Sequence, residues 1–481
     1  MKKTLNLIFT ALLSVIIFAG CQDRTDLTAP SAQSPKSGTA DFTRYVSIGN
    51  SITAGYQSGA LFESGQIYAY GNLIAKQTGT SFEEPLISDP GIGGRMKVAS
   101  VSPFAISVDP STGTPLYLSY AAPYNNMGIP GALVYDVLNA TSGTTCASYV
   151  YGNPATRTAN VFFDLILRGH GSQFTQTKLL HPTFITIWIG ANDVLGYATS
   201  GGFSPSAPTP TATFQYLYNQ MADSISSLGA KVVVANVPDV TSIPFFNTVG
   251  PMMALETPWS TLKLLGIPGL VYEQHGEIIG TGVADSASLL TGKVLLTLEG
   301  SSYAPLLGKS TGQFYRDNHY PVLPPGIDTT KPFGFSPQNP WPDALILDAS
   351  EIQTAQTSTQ DFNNAISAIA AAHNWGVVDI YSIFNQMRAN DFAGGTNYDG
   401  INFTTTYVTG GLFTLDGVHP TAQAQGIIAN AFLQVINSKF GASYPMLNVA
   451  TLPNSLILAK RSALLSQYPY FENGAFKHLL F

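Results

Sequence analysis

Four short segments, far apart in the chain, hold the residue types that acyl transfer requires. Cleaving an ester needs a nucleophile, a base, a group that orients the base, and donors for the oxyanion. The segments are Gly49-Asn50-Ser51-Ile52-Thr53, Asn126-Met127-Gly128-Ile129-Pro130-Gly131, Gly190-Ala191-Asn192-Asp193 and Asp416-Gly417-Val418-His419-Pro420. Any one of them alone is weak evidence. Together, in this order, they predict an ester-cleaving site.

Ser51, His419 and Asp416 are the predicted nucleophile, general base and base-orienting group. Ser51 follows an apolar run and a Gly-Asn pair, so it can stand in a tight turn at the carboxyl end of a strand, where ligands bind in open α/β sheets. Asp416 and His419 form the only D-x-x-H in the chain, and a turn of this length can return the carboxylate to the Nδ1–H of the ring. Taken singly, Ser51 could be a turn residue, and Asp416 could cap a helix that starts at Pro420. The other segments favour catalysis.

The predicted oxyanion hole combines the backbone N–H of Ser51, the backbone N–H of Gly131 and the side-chain amide of Asn192. Gly131 has no side chain to block its N–H, and Asn192 follows the apolar run 184–189 at the expected carboxyl edge of the sheet. Losing one such donor typically costs on the order of 10²–10³ in rate. We expect Asp193 to bond locally and to hold the loop.

The elements that must position these residues alternate between strands and helices. The patterns predict strands at 45–48, 184–189, 231–235 and 376–380, and helices at 67–77, 132–138, 213–228, 352–373 and 422–438. We expect Ser350 to cap the helix at 352–373. Such alternation predicts parallel β–α units, and therefore an α/β fold built as a three-layer α/β/α sandwich with a parallel central sheet.

The predicted hydrolase domain, residues 42–440, contains one stretch that breaks the alternation. Residues 244–341 are rich in Pro, Gly and aromatic side chains, and they are too many for a simple loop between two core strands. We expect an insertion that packs over the catalytic face as a cap or as one wall of a substrate cleft. A structural elaboration far from the site is the alternative. Residues 441–481 form a C-terminal extension for which the sequence indicates no role.

The four segments resemble the sequence blocks of the SGNH hydrolases, also called the GDSL esterase/lipase superfamily. The resemblance covers most of residues 42–438 and implies the same roles for Ser51, Gly131, Asn192, Asp416 and His419 as those given above. Gly128 is a rival for the oxyanion glycine, but Gly131 stands five residues after Asn126, as the family's glycine usually does.

One departure from the family pattern lies beside the nucleophile. The first block usually reads Gly-Asp-Ser-Leu, and here it reads Gly-Asn-Ser-Ile. In the family that Asp is structural and is not a member of the triad. Asn50 can make similar local hydrogen bonds through its carbonyl oxygen, so the resemblance still implies an active site.

The N-terminus carries the pattern of a bacterial lipoprotein signal peptide, residues 1–20. Lys2 and Lys3 precede an apolar run that is too short for an ordinary spanning helix. The run ends at Phe18-Ala19-Gly20-Cys21, which predicts lipidation of Cys21, a flexible tether over 21–41, and a bacterial cell envelope location, most naturally the outer membrane. The lipid would be the only membrane anchor. Plain secretion with a chance cysteine is the alternative.

Composition argues against several kinds of partner and cofactor. Lys and Arg number 22 against 29 Asp and Glu, without a basic run, so we expect no nucleic-acid partner. The 7 histidines lack the spacing of a metal site, so we expect no metal and no other cofactor. We do not expect the G-x-S-x-G nucleophile elbow of other serine hydrolases. We expect Cys146 to be a small buried residue. We expect the protein to be a monomer.

The leading hypothesis is a lipid-anchored serine esterase or lipase that hydrolyses carboxylic acid esters through a Ser-His-Asp acyl-enzyme mechanism. One option for its substrate is a lipid or fatty-acyl ester, with the aromatic insertion as an acyl-binding wall. A polysaccharide O-acetyl esterase is the first alternative, because aromatic side chains also stack on sugars. A surface binding lipoprotein without turnover is the second, motivated by Asn50 and by the large aromatic segment.

Overall fold

A five-stranded parallel sheet lies at the centre of the computed structural model, which describes residues 35–202, 207–274, 280–454 and 468–479. The strands along the chain are β1 (Tyr45–Gly49), β2 (Met96–Val101), β3 (Phe104–Val108), β4 (Asn126–Gly128), β5 (Phe184–Trp188), β6 (Lys231–Ala235), β7 (Leu270–Gln274), β8 (Gly280–Ala284), β9 (Leu295–Leu296), β10 (Ile346–Leu347), β11 (Gly376–Val378), β12 (Thr396–Tyr398), β13 (Ile401–Phe403) and β14 (Tyr470–Phe471). The central sheet has the order β11-β6-β5-β1-β4. All of its pairs are parallel.

Helices connect and cover these strands. They are α1 (Ser51–Ala54), α2 (Glu63–Gln66), α3 (Tyr70–Thr78), α4 (Asp136–Asn139), α5 (Ala147–Val150), α6 (Val161–Leu167), α7 (Gln173–Leu179), α8 (Asn192–Thr199), α9 (Thr211–Ser226), α10 (Pro244–Asn247), α11 (Val249–Glu256), α12 (Trp259–Leu264), α13 (Ser286–Leu290), α14 (Gln313–Asp317), α15 (Ala349–Ala372), α16 (Ile380–Asn390) and α17 (Ala422–Phe440). Short 3₁₀ turns lie at Val240–Ser242, Leu298–Ser302, Ala304–Leu306, Asp343–Leu345, Asp391–Ala393 and Val449–Thr451.

Alternate residues of the central strands point to opposite faces of the sheet, and helices cover both faces. Val46 and Ile48 of β1 share a core with α9 and α15, where the rings of Phe214 and Phe362 stack with centroids 3.9 Å apart. Tyr45 belongs to a second core with residues of α3 and α17. A sheet buried on both faces needs strands that are apolar throughout. The fold is the predicted three-layer α/β/α sandwich.

Most predicted elements are present with shifted ends. The predicted strands at 45–48, 184–189 and 231–235 correspond to β1, β5 and β6. The predicted helix at 213–228 begins earlier, at Thr211 after Pro210, and the predicted helix at 422–438 is α17. The predicted strand at 376–380 ends at Val378, and the predicted helix at 67–77 begins at Tyr70.

The helix predicted at 132–138 is largely wrong. Only α4 is helical there, and the preceding residues form tight turns. The carboxylate of Asp136 accepts the N–H of Leu133 at 2.8 Å, and that of Asp193 accepts the N–H of Val134 at 3.1 Å. These side-chain acceptors hold the backbone in a turn geometry that apolar spacing alone does not reveal.

The N-cap of α15 is Asp348, and the prediction of Ser350 is wrong. Asp348 Oδ1 accepts the N–H of Glu351 at 3.0 Å, while Glu351 Oε2 accepts the N–H of Asp348 at 2.7 Å. This reciprocal pair is a capping box, which satisfies two N–H groups at once. Ser350 lies in the first turn, where its hydroxyl donates to Asp348 Oδ1.

The stretch 244–341 is an insertion with its own buried core. It contains α10 to α14 and the antiparallel pair β7–β8, and β9 pairs with β10 just beyond it. Most of its aromatic side chains are buried: Phe245, Phe246, Trp259, Tyr272, Tyr303, Phe314, Tyr315, Phe333 and Trp341. The idea that these rings form an open substrate wall is therefore wrong for most of them. A segment of this length must bury apolar surface to be stable, and these rings supply it.

Both ends of the described chain pack on the sandwich. The N–H of Thr39 donates to the carbonyl of Phe440 at 2.8 Å, and Phe42 is buried, so the tether predicted over 21–41 gives way to packed structure before residue 42. The signal peptide and Cys21 lie outside the described residues. At the other end, β14 adds in parallel to β3, which forms a small sheet with β2.

Cys146 is buried, as predicted. Its thiol donates to the carbonyl of Gly143 at 3.2 Å, and burial raises the pKa of the thiol. It therefore behaves as a small packing residue. Within the described ranges, every helix is either too short or too polar to span a bilayer.

Candidate active site

Ser51 stands at the carboxyl end of β1, as the first residue of α1. Strand β1 lies between β4 and β5, so Ser51 lies in the interior of the sheet edge, with a strand on either side. The side-chain oxygen of Asn50 caps α1 by accepting the N–H of Ile52 at 3.2 Å. A side chain at Gly49 would lie within 2.4 Å of the Trp188 carbonyl, so the turn needs a glycine there. The turn therefore holds Ser51 rigidly, and leaves it 5% exposed.

Ser51, His419 and Asp416 form one hydrogen-bonded chain. Nε2 of His419 lies 2.9 Å from Oγ of Ser51, and Nδ1 of His419 lies 2.9 Å from Oδ2 of Asp416. The first distance joins residues separated by 368 positions, and the second joins residues separated by 3. Only the folded sheet edge brings the serine to the imidazole. The arrangement can pass the serine proton to Nε2 while the carboxylate holds Nδ1–H.

The Asp416 carboxylate is fully buried and saturated with donors. Oδ1 accepts the N–H groups of Val418 and His419, both at 2.9 Å, and the hydroxyl of Thr414 at 3.0 Å. Oδ2 accepts the N–H of Gly59 at 3.0 Å in addition to the imidazole. Burial opposes ionisation, but the facing imidazole and these donors outweigh it, so the pKa of Asp416 is lowered. The group that orients His419 is therefore a carboxylate over the working pH range.

Two buried tyrosines line this carboxylate and stay protonated. The ring of Tyr56 lies 4.9 Å from the ring of His419, and its hydroxyl donates to the carbonyl of Gly59 at 2.6 Å. The hydroxyl of Tyr407 donates to the carbonyl of Leu415. Burial, reinforced by the nearby Asp416 charge, raises the pKa of both phenols well above the usual range. They shield the Asp–His pair from water and add no second negative charge.

The oxyanion donors predicted from the sequence lie at the same sheet edge. Gly131 has φ of 81°, a left-handed conformation that favours glycine, and its N–H has no acceptor among the described residues. Ser51 is the first residue of α1, whose leading N–H groups have no partner within the helix. The amide of Asn192 donates to the carbonyl of Ala132 at 3.0 Å, which leaves its second N–H for a substrate.

Gly128, the rival for the oxyanion glycine, has a structural role. Its N–H donates to the side-chain oxygen of Asn126 at 2.9 Å, so it is not available to an oxyanion. A side chain at Gly128 would lie 2.3 Å from the backbone nitrogen of Ala54. The glycine therefore allows β4 to pack against α1, and the geometry favours Gly131 as the donor.

Two buried carboxylates hold the turn that presents Gly131. Asp193 accepts the N–H of Val134, as described above, and the hydroxyl of Thr209 at 2.9 Å, which fits the expectation that Asp193 holds this loop. Asp136, which the sequence did not single out, accepts the N–H groups of Leu133 at 2.8 Å and Ala147 at 2.7 Å. Burial raises the pKa of both carboxyls to about 7.

Two further buried residues, which sequence reasoning missed, hold the turn that carries Ser51. Glu84 accepts the side-chain amide of Asn126 at 3.0 Å, and that amide also donates to the carbonyl of Thr53 in α1 at 2.9 Å. The amide of Gln173 donates to the carbonyl of Gly49 at 2.9 Å and also reaches β4. No spacing in the sequence marks Glu84 or Gln173, because each acts through contacts with distant strands.

Two cavities lie beside the candidate active site. We call the first the apolar groove: it lies between α16 and α17, has a volume of about 110 Å³, and is lined in part by Ile52, Val418 and Pro420. We call the second the tyrosine cleft: it has a volume of about 1040 Å³ and is lined in part by Gly131 and Asn192, with exposed tyrosine rings, among them Tyr151 and Tyr216. The tyrosine cleft thus touches the predicted oxyanion donors, whereas the apolar groove touches the sequence neighbours of Ser51 and His419.

The chain does contain one G-x-S-x-G pentapeptide, at Gly308 to Gly312, contrary to expectation. It is not a nucleophile elbow, because a 3₁₀ turn and not a strand precedes it. The hydroxyl of Ser310 donates to the carbonyl of Thr330 at 2.7 Å, within the insertion. Among the described residues, no group of three or more His, Cys, Asp or Glu side chains is placed to hold a metal ion.

Comparison with known proteins identifies the family. Residues 45–263 match the family model of the GDSL-like lipases/acylhydrolases. The match includes Ser51, Gly131 and Asn192, and it ends before Asp416 and His419. No curated protein matches the chain. Residues 45–263 thus form a GDSL-like lipase/acylhydrolase domain, which together with the parallel α/β/α sandwich supports membership of the SGNH hydrolase superfamily and an ester-hydrolysing activity.

Proposed function

We propose that the protein is a serine esterase in which Ser51, His419 and Asp416 form the catalytic triad. The observation that carries this proposal is the continuous Asp416–His419–Ser51 hydrogen-bond chain at the sheet edge. A serine buried in a turn without a base would be a structural residue. A serine hydroxyl 2.9 Å from an imidazole that is itself held by a carboxylate is an activated nucleophile.

The mechanism follows from the atoms in contact. Oγ of Ser51 attacks the ester carbonyl carbon as Nε2 of His419 takes its proton, and Asp416 stabilises the imidazolium. The N–H groups of Ser51 and Gly131 and the amide of Asn192 bind the oxyanion. Collapse of the tetrahedral intermediate expels the alcohol, which takes the proton from His419. Water then attacks the acyl-enzyme with His419 as base, and this releases the acid and regenerates Ser51.

Ester hydrolysis together with covalent labelling tests this assignment. The full chain and Ser51→Ala are assayed side by side on p-nitrophenyl acetate and butyrate, and both are treated with a fluorophosphonate probe. We expect turnover and labelling with the wild-type chain, and loss of both in Ser51→Ala with an unchanged melting temperature. Residual turnover or labelling of the alanine variant at wild-type levels would reject Ser51 as the nucleophile.

A polysaccharide O-acetyl esterase is the second candidate function, and the tyrosine cleft favours it. Tyr151 is 71% exposed and Tyr216 is 61% exposed, and the ring of Tyr151 meets that of Tyr135 edge to face at 5.4 Å. Exposed aromatic faces can pack on sugar rings. Release of acetate from acetylated xylan, and its loss in Tyr151→Ala, would support this function over a lipid substrate.

We also propose that lipid on Cys21 anchors the enzyme in the bacterial cell envelope, with the outer membrane as the expected location. The support is the signal pattern that ends at Cys21. The Cys21→Ser variant should move from the membrane fraction to the soluble fraction, because one or more acyl chains would be lost. Retention of Cys21→Ser in the membrane fraction would reject a lipid anchor at this position. We propose a monomer without cofactor.

A further inference from the structure

We propose that the apolar groove binds a hydrocarbon chain of the ester substrate, in its acyl or its alkoxy part, so that lipid-like esters are the preferred substrates. The inference rests on the proposed triad, because the groove is assigned by its position beside Ser51 and His419. It goes beyond the triad because it names the part of the protein that recognises the substrate and the chemical class recognised.

The groove is lined in part by the immediate sequence neighbours of Ser51 and His419. Ile52, which lines it, follows Ser51 directly in α1, and Val418 and Pro420, which also line it, flank His419 on both sides. Consecutive Cα atoms across a trans peptide are about 3.8 Å apart. The wall therefore begins one residue from the nucleophile and one residue from the base, within reach of a substituent on an ester held at Oγ of Ser51.

The chemistry of the groove selects a hydrocarbon. All of its lining side chains are apolar, and α16 and α17 supply many of them, including Ile383, Phe384, Ile427 and Ile428. A polar group placed there would lose its hydrogen bonds to water and find no partner, which is strongly unfavourable in an apolar surrounding. A sugar is therefore excluded from the groove, whereas each buried methylene gains free energy.

The size of the groove limits the length of the chain. A dry apolar cavity of about 150 Å³ accepts benzene, with six carbons. The groove's volume of about 110 Å³ therefore suits roughly four carbons, with a longer chain extending along its open side. The tyrosine cleft, which borders Gly131 and Asn192, then has room for the polar remainder of the substrate.

Two series of esters measured on the full chain test the inference. In the acyl series, p-nitrophenyl esters run from acetate to octanoate. In the alkoxy series, acetates run from methyl to octyl, followed by titration of the released acid. We expect kcat/KM to rise about fourfold per methylene up to roughly four carbons in one of the series, from about 0.8 kcal/mol per buried methylene. The series that rises shows whether the groove takes the acyl or the alkoxy chain.

Variants that fill the groove connect the preference to these residues. Ile383→Trp fills it from α16 and Ile428→Trp from α17, and both positions are half-buried, so a larger ring can be accommodated without breaking the core. Leu264→Trp, at an exposed position that lines neither cavity, is the matched control. We expect the ratio of kcat/KM for the four-carbon chain to that for the shortest ester to fall at least tenfold in either groove variant, and to keep its wild-type value in Leu264→Trp.

Failure of this inference is distinguishable from failure of the proposed triad. Flat series in which turnover still disappears in Ser51→Ala would overturn the groove assignment and leave the serine esterase intact. A chain-length preference that persists in both Ile383→Trp and Ile428→Trp would overturn it as well. Two variants are used because one of them alone could fail to fold, which thermal melting of each variant reports.

Discussion

The side-chain oxygen of Asn50 accepts the backbone N–H of Ile52 at 3.2 Å, across Ser51, the proposed nucleophile, which stands between them. This contact shows how Asn50 can take the place of the Asp that is usual in the first block of the family pattern. The capping bond needs an acceptor at this position, and an amide oxygen supplies one as well as a carboxylate does. The departure in the first block therefore preserves the local structure that presents Ser51.

Two substitutions of Asn50 should separate the effect of the helix cap from the effect of a negative charge beside Ser51. Asn50→Asp keeps an acceptor, so we expect kcat/KM to stay within about threefold of the wild-type value. Asn50→Ala removes the acceptor and should lower the free energy of unfolding by about 1 kcal/mol, the usual cost of losing a helix cap. Urea unfolding and ester hydrolysis of the two variants check this. Equal stability of Asn50→Ala and wild type would mean that the cap contributes nothing.

Asp416→Asn should impair turnover less than His419→Ala. In the proposed mechanism the imidazole transfers the proton, whereas the carboxylate only orients and stabilises the imidazole. We therefore expect kcat to fall by roughly 10⁴ in Asp416→Asn and by roughly 10⁶ in His419→Ala. Asp416→Asn should also be less stable, because an amide nitrogen at either oxygen position would face backbone N–H groups that now donate to a carboxylate. Single-turnover kinetics of both variants measure the ranking, and a reversed order would mean that another group orients His419.

The two carboxylates of the Gly131 turn should respond differently to amide substitution. Asp193 accepts one backbone N–H and one hydroxyl, and because a hydroxyl can also accept, the amide of the Asp193→Asn variant can bind both partners. Asp136 accepts two backbone N–H groups, and an amide can satisfy only one of them. We expect the free energy of unfolding of Asp193→Asn to lie within about 0.5 kcal/mol of the wild-type value, and that of Asp136→Asn to be lower by about 1–3 kcal/mol.

Urea unfolding of Asp136→Asn and Asp193→Asn, together with kcat/KM on one ester, tests this contrast. Turnover should fall more in Asp136→Asn, because the turn it holds presents the Gly131 N–H. Equal losses of stability in the two variants would show that the number of backbone N–H groups each carboxyl accepts does not determine the stability of the turn.

The free energy of unfolding should fall as pH rises from 5 to 8, and the titration of Glu84 should contribute to this pH dependence. Burial raises the pKa of Glu84 to about 8, from a usual value of 4.5. A carboxyl with a higher pKa in the folded state binds more protons there than in the unfolded chain, so its contribution is complete below pH 4.5 and is lost as pH rises through about 8. One such group gives a slope of at most about 1.4 kcal/mol per pH unit.

Urea unfolding at pH 5, 6.5 and 8 measures this slope for wild type and Glu84→Gln. The variant cannot ionise, so its free energy of unfolding should fall less steeply than that of wild type. Asp136 and Asp193 contribute in the same direction with a pKa of about 7 and remain in both proteins, so the difference isolates Glu84. Parallel pH profiles would show that Glu84 titrates alike in the folded and unfolded chains.

The central elements could be predicted because their signals are local. A fully apolar run such as 184–189 is typical of a buried strand, and the spacing in 422–438 is typical of a helix packed against a core. Turn 131–135 could not be predicted, because side-chain acceptors decide it. The cap of α15 was missed although Asp348 and Glu351 stand at the spacing of a capping box. At 131–135 those acceptors are Asp136 and Asp193, and the carboxyl of Asp193 comes from a segment distant in the chain.

By itself the sequence determined which residues carry the chemistry proposed for this protein: Ser51, Gly131, Asn192, Asp416 and His419 stand in motifs whose residue types and order have one common chemical use. Only the tertiary structure decided how they meet, because the bond between His419 and Ser51 joins residues separated by 368 positions. It also decided that most of the insertion's aromatic rings are buried and that the apolar groove lies between α16 and α17. Composition counts apolar side chains, but only packing determines which of them face each other and which leave a space for a substrate.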